Sequence, residues 1–277
     1  SHSGEDLHVR TLQELLRRAK IPQSALGTGT EGMPLDALTA ARLLRDGERP
    51  SQLRHMCSGQ HTLFLLMSKQ HGWPLEAYWR EDHPTQTAFR SAVARAFGVP
   101  VERMVSGTDA CGIPTFAFPL REIARAYALL ADPGAVAPAD PRASLVPALA
   151  RVRDAMTAHP ELVGGTRDRL DTSLMKALPG RVVAKGGAEG LRGIGILRQG
   201  GARAGRTGGR GGANAAGDPA RSATGVAVTI EDGDPTGRAS SAASIEALVQ
   251  VGVLAGPALR ALSRFQRPAS LDSHGRI

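Results

Sequence analysis

The sequence predicts a mixed α/β fold of the α+β kind, and three observations carry that expectation. Up to about residue 177, apolar residues recur at helical spacing in segments closed by glycine or proline. After Pro179-Gly180 the texture changes to short β-branched segments bounded by glycines. An Ala-rich periodic stretch from about Ser240 to Leu254 follows them. At 277 residues and 42 % hydrophobic content the chain is most simply one domain over 1–277. Aromatic residues make up only 4 %, so the core has to be built from Leu, Ala and Val.

In chain order, Ser3 to Asp6 starts a helix with Leu7, Leu12, Leu15 and Leu16 on its buried side. Ile21-Pro22 and the Gly27 to Gly32 stretch break it. Leu35, Leu38 and Leu44 mark a second helix, closed by Gly47. Cys57-Ser58-Gly59 leads into Leu63-Phe64-Leu65-Leu66-Met67 and ends at His71-Gly72, which puts Cys57 at or just before a helix N-terminus. Unpaired backbone N–H groups there favour a thiolate, the form that binds metals. Pro84 sits at a first helical position, with Phe89, Val93 and Phe97 following to Gly98. Pro119 opens a helix through Ile123, Tyr127 and Leu130, and further helices are expected at 143–157 and 167–177. The strands are expected at 181–184, 194–197 and 226–230.

The formal charge of +8 invites a nucleic-acid partner, but its distribution argues against one. Arg198, Arg203, Arg206, Arg210 and Arg221, less Asp218, supply half of the excess, at and within a Gly/Ala-rich segment that reads as a flexible loop insertion over 199–222. That segment has no aromatic residue on which a base would stack. The chain has no apolar run of about 18 residues, so no membrane span is expected. With no signal peptide visible, the expected location is the cytoplasm. Cys57 and Cys111, the two cysteines, each lie in a polar Gly-rich setting and read as thiols or ligands. Two buried cysteines acting as small hydrophobes, or a disulfide between them, are the alternatives.

Lysine is scarce beside arginine, and Lys185 stands at a strand end before Gly186-Gly187. Lysine can give up its proton and serve as a base, whereas arginine cannot. The plain alternative is a solvated strand-end lysine. Asp109, two residues before Cys111, is placed to orient a metal, a catalytic pair or a substrate ammonium, or simply to cap a loop. His61 is either a group behind the ligands or a surface histidine. His83 reads as a helix cap, and Glu231-Asp232-Gly233-Asp234 as a solvated turn.

Five blocks occur in a recognisable order: Ser1-His2-Ser3-Gly4-Glu5, Cys57-Ser58-Gly59-Gln60-His61, Asp82-His83-Pro84-Thr85-Gln86, Asp109-Ala110-Cys111-Gly112-Ile113-Pro114, and Arg181 to Gly190. Together, over nearly the whole chain, they resemble the bacterial type II family of L-asparaginases, of the Rhizobium etli type. The resemblance implies a β-lactamase/transpeptidase-like fold, hydrolysis of L-asparagine by a serine/lysine mechanism, and a homodimer. It places Ser1 and Lys185 in the catalytic positions, and Asp109, His61 and Gly112 beside the substrate. It places Cys57, Gln60 and Cys111 at a Zn2+ site where the family carries a lysine instead of Gln60. An amide oxygen is a poor zinc ligand, so weaker binding is expected. In the family a Ser-x-x-Lys segment and the first strands precede the point that Ser1 matches. The chain is therefore expected to be N-terminally truncated. A catalytically silent relative, or another amide hydrolase or transpeptidase of the same fold, is the alternative function.

Overall fold

A computed structural model describes residues 2–29, 32–198, 223–234, 237–269 and 274; Ser1 and the 199–222 segment lie outside the described residues. The helices and strands run α1 (Asp6–Arg18), α2 (Ala37–Arg45), α3 (Ser58–His71), α4 (Pro84–Phe97), β1 (Val105–Thr108), β2 (Pro114–Ala117), α5 (Leu120–Ala131), α6 (Val146–Ala158), α7 (Pro160–Val163), α8 (Leu170–Ala177), β3 (Val182–Gly186), β4 (Arg192–Ile196), β5 (Thr224–Val228), α9 (Arg238–Gln250), α10 (Gly256–Ala261) and α11 (Ser263–Gln266). Helix and sheet are mixed, as expected. Contacts gather the chain into two compact units, Ser1–Pro119 with His159–Thr172, and Leu120–Ala158 with Ser173–Ile277.

In the first unit, α1 buries Leu12 and Leu16 as its spacing predicts, but His8 rather than Leu7 takes the first place of the stripe. Helix α2 forms where expected with the opposite face inward. Leu38 and Leu44 are 67 % and 71 % exposed, while Thr39 and Leu43 are buried. The cause is polar: Asp36 caps α2 by accepting from the Thr39 N–H at 2.8 Å, and its carboxylate is also held by Arg167. Cys57 is the N-cap of α3 and Gly72 its left-handed C-cap. His83 caps α4 by accepting from the Thr85 N–H at 3.1 Å, with Pro84 in the first turn. The core joins Leu12, Leu16, Ile21, Leu26, Leu53, Phe64, Leu65, Tyr78, Cys111 and Ile113. An antiparallel hairpin that the sequence did not suggest pairs Val105 with Ala117 and Thr108 with Pro114. Its strands have four residues each, contain Ser, Gly and Pro, and are largely exposed, so no hydrophobic alternation announces them.

In the second unit the three expected strands form one antiparallel sheet in the order β3-β4-β5, each within two residues of its expected place. Val182 pairs with Ile196, Lys185 with Gly193, and Gly195 with Gly225. The glycines of β4 and β5 let α5 lie directly on the sheet. A Cβ on Gly225 would stand 1.7 Å from the Ala124 carbonyl oxygen, and one on Gly195 2.4 Å from that of Tyr127. Val182, Val183, Ala184 and Ile194 are fully buried. The acidic turn is not simply solvated: Asp234 is buried and accepts from the Ala239 and Ser240 N–H groups at the start of α9. Among the described residues no helix is long and apolar enough to cross a membrane.

Candidate active site

Cys57, His61, Asp109 and Cys111 all belong to the first unit. The turn of the β1–β2 hairpin delivers one half of the site. The Asp109 N–H donates to the Ile113 carbonyl at 2.9 Å and the Gly112 N–H to the Asp109 carbonyl at 2.8 Å. This closes a turn in which Gly112 takes φ +84°, a conformation that a side chain would strain. Helix α3 delivers the other half through its N-cap. One ligand-type atom from each of Cys57, Asp109 and Cys111 lies within 4.8 Å of the other two. The cysteines are not joined in a disulfide.

Cys111 is 2 % exposed. Its thiol is pushed well above the ordinary range, first by a hydrogen bond shared with Cys57 and then by burial, while His61 pulls it back. It points at the Asp109 Oδ2, 3.7 Å away, and the Asp109 Oδ1 accepts from the Ala110 N–H at 2.7 Å. The Cys57 N–H donates to the His55 Nδ1 at 3.1 Å. Burial holds the His55 pKa down, against the attraction of Asp109. Two thiols and a carboxylate are a donor set that suits zinc, and the resemblance implies that ion, so the residues present fit it. Gln60 is exposed on the first turn of α3, and a carboxylate oxygen of Asp109 lies beside the two thiols.

His61 is no surface histidine: it is fully buried. Its Nδ1 lies 2.5 Å from the Tyr78 hydroxyl, which also accepts the Gly27 N–H at 2.9 Å. Its Nε2 is buried with no hydrogen-bond partner among the described residues. Gly112, Thr108, Gly107, Trp79 and Asp82 border an open recess of about 500 Å3.

The N-terminal block packs against the cysteine block. The His2 N–H donates to the Met56 carbonyl at 3.2 Å, and the His2 Nε2 lies 2.9 Å from the Ser58 hydroxyl. His2 therefore bonds to the residues on both sides of Cys57. The ring of His2 stacks on His8 at 4.5 Å. Ser3 donates to Glu5 at 2.6 Å, and Glu5 also accepts from the Thr166 N–H and hydroxyl at 2.7 and 2.5 Å. Burial pushes the Glu5 carboxyl up, but these bonds and Arg167 outweigh it and hold its pKa low. Arg54 bonds to the Gly4 carbonyl and to Asp6. The residue that follows Ser1 is thus fixed by a dense polar network.

Lys185 belongs to the second unit, where it is half-buried near the end of β3 and its ammonium bonds to the Gly186 carbonyl. Sequence reasoning named Glu5 only within its block and did not single out Tyr78 or Arg167, which bond to His61 and to Asp36. A signal existed for Tyr78, because it is one of only two tyrosines in the chain. Arg167 carried none among thirty-odd basic residues.

No individually curated protein matches this chain. The family model described as L-asparaginase II matches residues 1–277, and the chain belongs to that family.

Proposed function

We propose that the chain hydrolyses L-asparagine to L-aspartate and ammonia, with Ser1 as nucleophile and Lys185 as its proton acceptor. The observation that carries the proposal is the meeting of two motif blocks in the first unit: His2 bonds to Met56 and Ser58, on either side of Cys57. The family assignment adds the substrate class. The roles of Ser1 and Lys185 rest on the sequence blocks.

In the first half-reaction the Ser1 oxygen adds to the side-chain carboxamide carbon, and its proton passes to the Lys185 amine. Collapse of the tetrahedral adduct breaks the C–N bond. The same proton leaves with the nitrogen as ammonia, and the aspartyl group remains as an ester on Ser1. In the second half-reaction water adds to that ester and gives a proton to Lys185. That proton returns to the Ser1 oxygen as aspartate departs. Backbone N–H groups of the glycine-rich blocks steady the oxyanion in both halves. Cys57, Asp109 and Cys111 would hold a zinc ion, which when bound would supply a Lewis-acidic centre that assists substrate binding. Gly112 leaves the wall of the recess open for close approach, and His61 backs the centre from within the core.

Ammonia release from L-asparagine tests the proposal. The chain with zinc is expected to release ammonia, and Ser1→Ala and Lys185→Ala are each expected to lose at least about a hundredfold in rate. Absence of release from the parent chain, or an unchanged rate in Ser1→Ala, overturns it.

A further inference from the structure

The two thiols of the chain meet across two elements that hold them differently. Cys111 is buried, belongs to the core with Tyr78 and Ile113, and sits in the turn closed by the Asp109–Ile113 and Gly112–Asp109 bonds. Cys57 is half-buried at the N-cap of α3. Its backbone is held as well: its N–H donates to the His55 Nδ1, and its carbonyl accepts the His61 N–H, at 3.1 Å each. The two sulfurs stand within 4.8 Å of one another and are not joined in a disulfide. A disulfide needs them about 2 Å apart. Turning one side chain from one staggered rotamer to the next moves its sulfur by about 3 Å, a motion the size of the gap that leaves both backbones in place. With no third cysteine in the chain, neither sulfur has another partner within it.

We propose that Cys57 and Cys111 form an oxidation site that takes a hydroperoxide as its oxidant and closes an intramolecular disulfide. Cys57, the more exposed of the two, is the sulfur that peroxide meets first. It attacks one peroxide oxygen, the O–O bond breaks, and Cys57 becomes a sulfenic acid while one water departs. The Cys111 sulfur then attacks the Cys57 sulfur, the S–O bond breaks, and a second water departs. Two thiols thereby lose two hydrogens and two electrons, which reduce one hydrogen peroxide to two waters. Cys111 is near enough to intercept the sulfenic acid before a second peroxide carries it further. A disulfide has no thiolate left for a metal, and a metal that holds both sulfurs keeps them from peroxide, so oxidation and metal binding exclude each other. That consequence rests on the metal centre proposed above. The disulfide rests only on where the two sulfurs stand.

Mass spectrometry of the full chain tests the proposal. The metal-free chain is treated with hydrogen peroxide, alkylated and digested without reductant. The expected result is an intact mass lower by two hydrogens, no alkylated cysteine, and a peptide containing Cys57 linked to one containing Cys111. Dithiothreitol is expected to restore both thiols. With free zinc at about a hundred times its Kd, closure is expected to slow about a hundredfold, because only the metal-free fraction reacts. In Cys111→Ser, dimedone is expected to capture a sulfenic acid on Cys57. Both thiols still alkylated after peroxide, a sulfinic acid on Cys57 beside an alkylated Cys111, a linkage between two chains, or a folded Cys111→Ser chain with no dimedone adduct overturns the proposal. A bridge that closes equally fast with and without zinc upholds the thiol pair and overturns the metal centre instead, so the two readings fail separately.

Discussion

Asp36 shows how single residues set up the first unit. Its carboxylate caps α2, accepts the Thr39 hydroxyl at 2.6 Å and pairs with Arg167 at 2.5 Å. The Arg167 guanidinium is the main reason why its pKa is held down to about 2. A depressed carboxyl contributes stability that is fully present above its unfolded pKa, near 3.9, and lost as pH falls towards 2. Arg167→Ala is therefore expected to cost about 1–3 kcal/mol at neutral pH, where the half-exposed guanidinium limits the figure. The cost should shrink between about pH 4 and pH 2. Urea unfolding followed by tryptophan fluorescence reads this unit alone, because Trp73 and Trp79 both belong to it. A cost that stays constant across that range would show that the pair does not carry the stability. At this scale the two cysteines and Asp109 were legible because they are rare or stand in blocks. Tyr78 was marked only by the rarity of tyrosine and Arg167 by nothing, since their partners lie 17 and 131 residues away and no local pattern encodes such pairings.

Elements were legible where local chemistry settles them. Proline at the start of α4, glycine after α3 and α4, and 3.6-residue spacing placed most of the helices. Orientation was harder to read: Leu38 and Leu44 face outward because the Asp36 cap, not leucine spacing, decides how α2 sits. The β1–β2 hairpin stayed hidden for want of any alternation, although its turn carries Asp109 and Cys111. In the second unit glycines make the helix–sheet contact possible. Gly225→Ala would force a methyl group onto the Ala124 carbonyl, and it is expected to destabilise by about 1–3 kcal/mol or more. Thermal unfolding followed by circular dichroism should show a midpoint lowered by several degrees. An unchanged midpoint would mean that α5 does not lie as close to β5 as described.

For the whole molecule, order along the chain misleads as a guide to grouping. His159–Thr172 belongs with the first unit although a long stretch of the second precedes it, and no shift in composition marks the change. What the sequence did reveal at this scale was the family, through blocks whose residues are spread over both units. Cys57, Asp109 and Cys111 stand close enough together to form one centre for a divalent ion. Cobalt(II) titration of the metal-free chain, with zinc content measured in parallel, tests that claim most directly. The predicted result is one ion per chain with thiolate-to-cobalt charge-transfer absorption, weakened in Asp109→Ala and lost in the Cys57→Ser/Cys111→Ser double variant. Stoichiometric binding that survives in the double variant, or no stoichiometric binding to the parent chain, would contradict it.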